Sequence, residues 1–297
     1  MTVLVTGSTG LLGSALVPFL TDQGHRVIRL VRKDPKPDEV RWHPEAGTID
    51  TAGLEGLDAV VHLAGENIAE GRWNAAKKAR IRDSRVNSTR LLAESLAGLS
   101  APPGVLVSAS AIGYYGDRGD EVLREDSPAG SDFLAEVCLA WEAAAQPAAQ
   151  KGIRTVNLRT GIVLSAEGGA LAKMLFPFKM GAGGVIGSGN QYMSWISIYD
   201  TIGVVHHALT TDALQGPVNT VAPTPVTNRE FTSTLGRALS RPTLFPMPAF
   251  AARLAFGEMA DALLLASARV EPVRLQETGY AFQHPHLEGA LRHILEK

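Results

Sequence analysis

The sequence predicts an α/β fold, a doubly wound parallel sheet with a smaller C-terminal lobe. Three observations predict it. A short β-branched and apolar run, Thr2 to Val5, passes through a glycine-rich turn into a segment whose apolar residues (Leu11, Leu12, Ala15, Leu16, Phe19, Leu20) recur at helical spacing. Further apolar runs of strand length follow at Arg26 to Val31, Asp58 to Ala64, Val105 to Ser110 and Gly152 to Val163, separated by helical stretches. The chain has 297 residues, 45% of them hydrophobic, enough to bury a full core in one continuous fold with an appended lobe.

The first strand hands over to the first helix through Thr6-Gly7-Ser8-Thr9-Gly10-Leu11-Leu12-Gly13. Such a turn needs backbone with φ > 0 and close ligand approach, which glycine tolerates without strain, while the first amides of the helix point outward unpaired. A pyrophosphate fits there. A purely structural turn is the alternative, but the position directly after a strand and opening a helix favours dinucleotide binding. The glycines are spaced G-x-x-G-x-x-G (Gly7, Gly10, Gly13), and with Thr6 they resemble the T-G-x-x-G-x-x-G signature of extended short-chain dehydrogenases/reductases. The resemblance implies a Rossmann fold in which Thr9, Gly10, Leu11 and Leu12 line the cofactor and Gly13 permits close helix-to-strand packing.

Gly24-His25 reads as a helix stop, and the second strand ends Val31-Arg32-Lys33. An acid at this tip would select NAD, whereas a base accepts the 2′-phosphate of NADP. Arg32 and Lys33 are either a solvated pair or phosphate ligands, and their placement favours NADP(H). Asp34 to Gly56, rich in Pro, Gly and charge, reads as a surface excursion with an edge hairpin around Val40 to Trp42. The third strand ends Leu63-Ala64-Gly65, where short side chains let backbone approach the cofactor. His62, inside that strand and without a second histidine at ligand spacing, reads as a core residue. Trp73 to Ala97 reads as one long helix with a basic first half. Its cations form a solvated face, or else Arg80 or Arg85 reaches a cofactor phosphate, as the resemblance implies.

The fourth strand emerges as Ser108-Ala109-Ser110-Ala111-Ile112-Gly113-Tyr114-Tyr115-Gly116, which resembles the S-S-x-x-x-Y-G segment of extended reductases. There Ser108 would border the cofactor and Ser110 would hydrogen-bond the reacting carbonyl or hydroxyl; paired hydroxyls at a strand end are otherwise ordinary turn formers. The following helix, Phe133 to Glu142, departs from the family's Y-x-x-x-K pair. With Glu142 aligned to the glutamate that commonly follows, Leu134 takes the tyrosine position and Cys138 the lysine position. Leucine has no proton to give, and a thiol on an apolar helix reads as a small buried hydrophobe. Two readings stay open: catalysis has moved to groups near Ser110, with Tyr114, Tyr115 and Asp117 available, or the chain binds NADP(H) without catalysing the usual step.

The fifth strand exits as Arg159-Thr160-Gly161-Ile162-Val163, similar to the stretch that borders the nicotinamide, with Val163 as its contact. Gly168 to Gln191 reads as a mobile substrate-side lid around a short apolar helix, with Lys173, Lys179, Gln191 and Tyr192 as polar handles. Asp200 is expected to cap a helix running to Leu209, Gly216 to Val221 reads as a late strand, and Thr227-Asn228-Arg229-Glu230 reads as a capping box. Together with A-G-E-N-I-A (Ala64 to Ala69), R-W-N (Arg72 to Asn74) and L-x-E-T-G-Y (Leu275 to Tyr280), these motifs resemble one atypical subgroup, the epimerase-family proteins of the short-chain dehydrogenase/reductase superfamily, over essentially the whole chain. The expected organisation is an NADP(H)-binding Rossmann domain over 1–165, rejoined by segments around 190–225, and a lid and helical lobe over 166–297.

The expected function is an NADP(H)-dependent oxidoreductase or epimerase acting on a small carbonyl or hydroxyl compound; the alternative is a non-catalytic NADPH-binding sensor. A formal net charge of −2 argues against a nucleic-acid or membrane partner. No apolar run approaches the roughly 20 residues that span a bilayer. A single cysteine excludes an internal disulfide framework, and with no signal-peptide pattern at the start a cytoplasmic protein is expected. No H-E-x-x-H, G-x-S-x-G or G-x-x-x-x-G-K-[ST] motif is present, so metal, nucleophilic and triphosphate hydrolysis are not indicated.

Overall fold

In the computed structural model, which describes residues 1–296, the chain opens with β1 (Thr2–Thr6), α1 (Leu11–Asp22), β2 (Arg26–Val31), β3 (Glu39–His43), β4 (Thr48–Ile49) and β5 (Ala59–His62). There follow α2 (Ala75–Ala97), β6 (Val105–Ala111), β7 (Val122–Leu123), α3 (Phe133–Ala144), α4 (Gln146–Gln150), β8 (Arg154–Thr160), β9 (Ile162–Leu164) and α5 (Gly169–Lys179). The last part holds β10 (Tyr192–Met193), β11 (Trp195–Ser197), α6 (Ile198–Thr210), β12 (Gly216–Thr220), β13 (Val226–Thr227), α7 (Asn228–Ala238), α8 (Ala249–Phe256), α9 (Glu258–Ala260), β14 (Arg269–Val270), α10 (Val273–Glu277) and α11 (Leu287–Leu295).

The main sheet has eight strands in the order β12-β8-β6-β5-β1-β2-β3-β4, every pairing parallel except β3 with β4. The chain leaves β1 toward β2 and later returns on its other side with β5, so the strand order reverses beside β1. Crevices at the carboxyl ends of strands on either side of such a reversal are where α/β sheets bind ligands.

Residues of β1 feed both faces. Val3 and Val5 pack with Leu16, Val17 and Leu20 of α1 and with Ile202, Val205 and Leu209 of α6, while Leu4 packs with Leu92 and Leu96 of α2 on the opposite face. Val3, Leu4 and Val5 are fully buried, and each such side chain contributes about 1.5–3 kcal/mol over leaving it in water. A third cluster holds α5, α7 and α11 together around Trp195 and Phe231.

Helix starts follow their caps. Asn74 accepts from Lys77 N at 2.8 Å, so α2 begins at Ala75 and Trp73 belongs to the preceding loop. Asp132 caps α3 by accepting from Ala135 N. At α6 the cap is Ser197, not Asp200: Asp200 N donates to Ser197 Oγ. The Asp200 carboxylate, fully buried, instead accepts from the backbone N–H groups of Gln283 (2.7 Å) and His284 (3.0 Å). The capping box at Thr227 and Glu230 forms as its residues predict. The fifth strand divides at Gly161, where a Cβ would lie 2.4 Å from the Ser194 carbonyl; beyond it, β9 leaves the main sheet to pair with β11. Among the described residues no helix is long and apolar enough to cross a membrane.

Candidate functional site

The turn after β1 is shaped by backbone contact. Gly7 has φ +65°, and a Cβ on it would lie 2.8 Å from Leu63 C and 2.9 Å from Ala64 N, so only glycine lets the ends of β1 and β5 approach this closely. Thr6 secures the same junction: its Oγ1 accepts from Leu63 N and Ala64 N, each at 3.1 Å, and meets His62 Nδ1 at 2.8 Å. His62 is a core histidine. It is fully buried and its other nitrogen meets Thr89 Oγ1 at 2.9 Å; burial pulls its pKa down to about 4. A Cβ at Gly13 would fall 2.2 Å from Gly7 O, and so α1 sits directly on the turn. Gly10 is the helix N-cap, with no side-chain cap and no acid in the first turn. The opening amides of α1 therefore face outward, and Thr9 and Gly10 are exposed over them. Leu11 and Leu12 are half-buried, and a Cβ on Gly168 would lie 3.1 Å from the Leu11 side chain.

Val31 ends β2 half-buried, and Arg32 and Lys33 beyond it are exposed. Neither forms an ion pair among the described residues, whereas Asp34 pairs with Arg41 at 3.0 Å. Leu63 and Ala64 are half-buried and Gly65 is exposed at the end of β5. The structure separates the two arginines of α2. Arg80 is exposed and lies 3.6 Å from Glu66. Arg85 is half-buried over Gly65: a Cβ there would be 3.4 Å from its guanidinium carbon. It stacks 5.0 Å from the Trp141 ring and makes one hydrogen bond, to Ile81 O at 3.0 Å, while burial lowers its pKa. A guanidinium has five N–H donors, so most of Arg85's are not matched by protein. Ser108 is not at the surface of the cleft: it is 1% exposed, inside the sheet opposite His62. Val163 is half-buried in β9.

The residues expected to act chemically part company. Ser110 is buried, and its Oγ donates to Glu142 Oε1 at 2.7 Å. Glu142 is gripped by Arg159 at both oxygens, at 2.8 and 3.0 Å, a bidentate pair at the edge of the core. Arg159 also donates to Tyr115 OH at 3.0 Å. Tyr115 has no exposure, donates to Asn219 Oδ1 at 2.6 Å, and has its phenol pushed up to about 12 by burial. Its hydroxyl is tied into the core by Asn219 and Arg159. Tyr114 remains half-buried, its ring 3.4 Å from the Arg159 guanidinium carbon. Asp117 is likewise structural, accepting from Ser267 N at 3.1 Å.

Leu134 and Cys138 face the end of β6: a Cβ on Gly113 would sit 3.2 Å from Leu134 Cβ and 3.9 Å from Cys138 Sγ. The Cys138 thiol is 3% exposed and burial pushes it up to about 12, the behaviour of a packed hydrophobe. Among the lid's expected handles, Lys173 donates to Ala69 O at 2.7 Å, but Gln191 is buried and donates to the carbonyls of Ile186 and Leu264, a core tie. Sequence reasoning used Thr6 only as part of the glycine signature and Glu142 only for alignment, and assigned neither a place in the site; the pairing of Glu142 with Arg159 has no local signal. Among the described residues no group of His, Cys, Asp and Glu could hold a metal.

A glycine cradle at the reversal point of a parallel sheet, beneath an uncapped helix, defines an α/β protein of the nucleotide-binding class. The chain belongs to the NAD dependent epimerase/dehydratase family, whose model matches residues 3–221; a domain of unknown function (DUF1731) matches residues 247–294. It is 46% identical over 290 residues to the epimerase family protein Mb2239 of Mycobacterium bovis, covering 97% of this chain and 96% of that protein. The crystal structure of human epimerase family protein SDR39U1 (isoform 2) with NADPH superposes with a TM-score of 0.93 at 39% identity, covering 100% of this chain and 99% of that one. A Corynebacterium glutamicum nucleoside-diphosphate sugar epimerase gives 0.83 at 40% identity, covering 99% of this chain and 58% of that one. The UDP-N-acetylglucosamine 4-epimerase of Bacillus cereus, at 20% identity and TM-score 0.75 (99% of this chain, 98% of that one), shares the fold.

Proposed function

We propose that the chain binds NADP(H) along the carboxyl edge of its sheet and acts as an oxidoreductase or epimerase on a small carbonyl or hydroxyl compound. Residues 1–165 hold the cofactor, the stretch around 190–225 returns to that half, and residues 166–297 supply the substrate side. The glycine cradle carries the reading: uncapped amides open α1 above backbone that a Cβ at Gly7 or Gly13 would fill, and these groups fit a diphosphate. Arg32 and Lys33, exposed and unpaired after β2, suit a 2′-phosphate, in keeping with the NADPH in the human relative's structure. Arg85 offers unmatched donors over Gly65 and is the better cofactor ligand of the two arginines.

Bound there, the nicotinamide would supply or accept a hydride. The chain's own part is to hold the reacting oxygen. Because Ser110 gives its hydrogen to Glu142, it meets a ligand as an acceptor and suits a substrate hydroxyl; Tyr114 is the remaining phenol at the strand end. One set of observations favours a second reading, a non-catalytic NADPH sensor: Leu134 and Cys138 occupy the Tyr and Lys positions, and Tyr115 is sealed in the core. A cytoplasmic location fits the single buried thiol.

Fluorescence titration tests the cofactor: NADPH should bind more tightly than NADH, and Arg32→Ala should remove roughly tenfold to a hundredfold of that preference, the worth of one charge-assisted phosphate contact. Equal affinities for the two nucleotides would refute the assignment of Arg32. NADPH oxidation against mixed carbonyl compounds then separates the readings, since a sensor turns over none of them and binds a protein partner only when NADPH is present.

A further inference from the structure

The short strand β14 lies inside the stretch matched by the domain of unknown function, and it is tied to the carboxyl ends of two neighbouring strands of the main sheet. Ala268 and Val270 pack with Ile112 and Tyr114 of the turn in which β6 ends. Ser194 Oγ donates to Ala268 O at 2.8 Å and accepts from Val270 N at 2.9 Å, and the Ser194 carbonyl is the atom that a Cβ on Gly161, at the end of β8, would strike. Because β6 and β8 pair side by side, residues 268–270 stand at the carboxyl edge of the sheet. Alternation along the strand turns Arg269 out of the cluster that holds its neighbours. Its guanidinium carbon lies 5.0 Å from the centre of the Tyr192 ring.

Among the described residues, the arginines whose guanidinium neither donates to a protein group nor pairs with an acid are Arg29, Arg32, Arg90 and Arg269. The first three are exposed and have water for partners, whereas Arg269 is half-buried. The acids of its neighbourhood are engaged elsewhere: Glu271 with Arg124 at 3.1 Å, Glu121 with Arg118 at 2.7 Å, Glu125 with the backbone N–H groups of Asn219 and Arg274, and Asp117 with Ser267 N. The other cations of this edge differ. Arg159 is held by Glu142, Tyr115 and the Glu125 carbonyl, Lys77 holds Glu66, Arg80 is exposed beside Glu66, and Arg85 lies over Gly65 on the cofactor side. Five N–H donors in a plane, stacked on a tyrosine ring, half out of water and without a protein acceptor, suit a two-point contact with an oxyanion. We infer that Arg269 binds an oxyanion of the substrate, which is therefore a hydroxy or keto compound carrying a carboxylate or a phosphate group, and that Tyr192 positions the guanidinium. The inference rests on the NADP(H) reading, adds to it the class of substrate, and gives the domain of unknown function a part in the site.

The test uses the full chain loaded with NADP+, after titration has measured that binding. Saturation-transfer NMR titrations of levulinate, of hydroxyacetone phosphate and of methyl levulinate, the uncharged ester, are compared for the wild type, Arg269→Gln and Arg269→Lys. At least one of the two anions should bind the wild type, the tighter one naming the group, and should lose roughly tenfold to a hundredfold in affinity in Arg269→Gln, the worth of a charge-assisted contact. Lysine keeps the charge without the fork and should recover part of that loss. The ester should bind at least about tenfold more weakly than the acid if levulinate is the anion bound. NADP+ affinity and melting midpoint should not change in either variant, because the side chain has no protein hydrogen bond to lose. Absence of binding by both anions, anion binding that ignores Arg269→Gln, or an ester that binds as tightly as levulinate would overturn the inference. So would a fall in NADP+ affinity in Arg269→Gln, which would move the residue to the cofactor, or a melting midpoint several degrees lower, which would make it a structural stack on Tyr192. A flat NADP+ titration of the wild type fails at the earlier step and sinks the cofactor reading itself.

Discussion

Replacing Gly13 by alanine would put a Cβ 2.2 Å from the Gly7 carbonyl oxygen and 2.6 Å from Ser8 Cα. Both atoms are backbone of the turn, so no flexible side chain can absorb the overlap, and α1 must lift off β1. That movement is opposed by Leu16, Val17 and Leu20, which pack with Val3 and Val5 in the same core. Overpacking costs about 1–3 kcal/mol, and a clash confined to backbone belongs at the upper end, a fall in melting midpoint on the order of 5–10 °C. Gly10→Val is the matched control. Gly10 has φ −78° and ψ 175°, extended backbone that any residue adopts, and its Cβ would meet only Gly7 O at 3.3 Å. Valine there should fold with a loss of about 1 kcal/mol or less, yet its methyl groups would stand over the opening amides of α1 and abolish NADPH binding. Thermal melts and fluorescence titrations of the two variants read both quantities. The reasoning is refuted if Gly13→Ala melts like the wild type, or if Gly10→Val keeps wild-type affinity.

Further outcomes are expected elsewhere in the chain. Cys138→Ala should cost about 1 kcal/mol through the small void it leaves and should not alter NADPH affinity; lost turnover with intact cofactor binding would instead reveal thiol chemistry. Ser110→Ala should remove any turnover and, because the hydroxyl is buried on Glu142, also lower stability by about 1.5–3 kcal/mol, the worth of a hydrogen bond to a charged group; an unchanged melt would mean that the Ser110–Glu142 bond contributes nothing. His62 has a pKa of about 4 when folded against 6.5 when free, so the unfolded chain takes up the proton first. Its share of stability is complete above pH 6.5 and falls by about 3 kcal/mol as the pH drops to 4. Denaturant melts across that window should therefore fall more steeply for the wild type than for His62→Gln. Asp200→Ala removes the carboxylate that accepts from the amides of Gln283 and His284, at about 1–3 kcal/mol for each bond lost; hydrogen exchange at those amides should accelerate, and protection equal to the wild type would show that the carboxylate does not hold the C-terminal segment.

The sequence by itself determined the parts of this protein that depend on a few neighbouring residues. Gly7 and Gly13 specify a turn only glycine can make, the β-branched runs specify buried parallel strands, and Thr227 with Glu230 specifies a helix start. The cradle was legible for that reason, and so was the absence of any Tyr or Lys from α3. What only the tertiary structure decided is how deep each polar group lies and what it faces. Tyr114 and Tyr115 are adjacent in the chain, yet Tyr115 is sealed inside because Asn219, 104 residues away, and Arg159 close over its hydroxyl. Arg80 and Arg85 carry the same side chain on one helix, but only Arg85 turns toward Gly65 and Trp141. Asp200 reads locally as a cap, but Ser197 takes that position and two amides from the distant Gln283 and His284 claim the carboxylate. Backbone conformation is set by short-range sterics, whereas burial and hydrogen-bond partnership are set by which remote elements pack together, and no local pattern encodes that meeting.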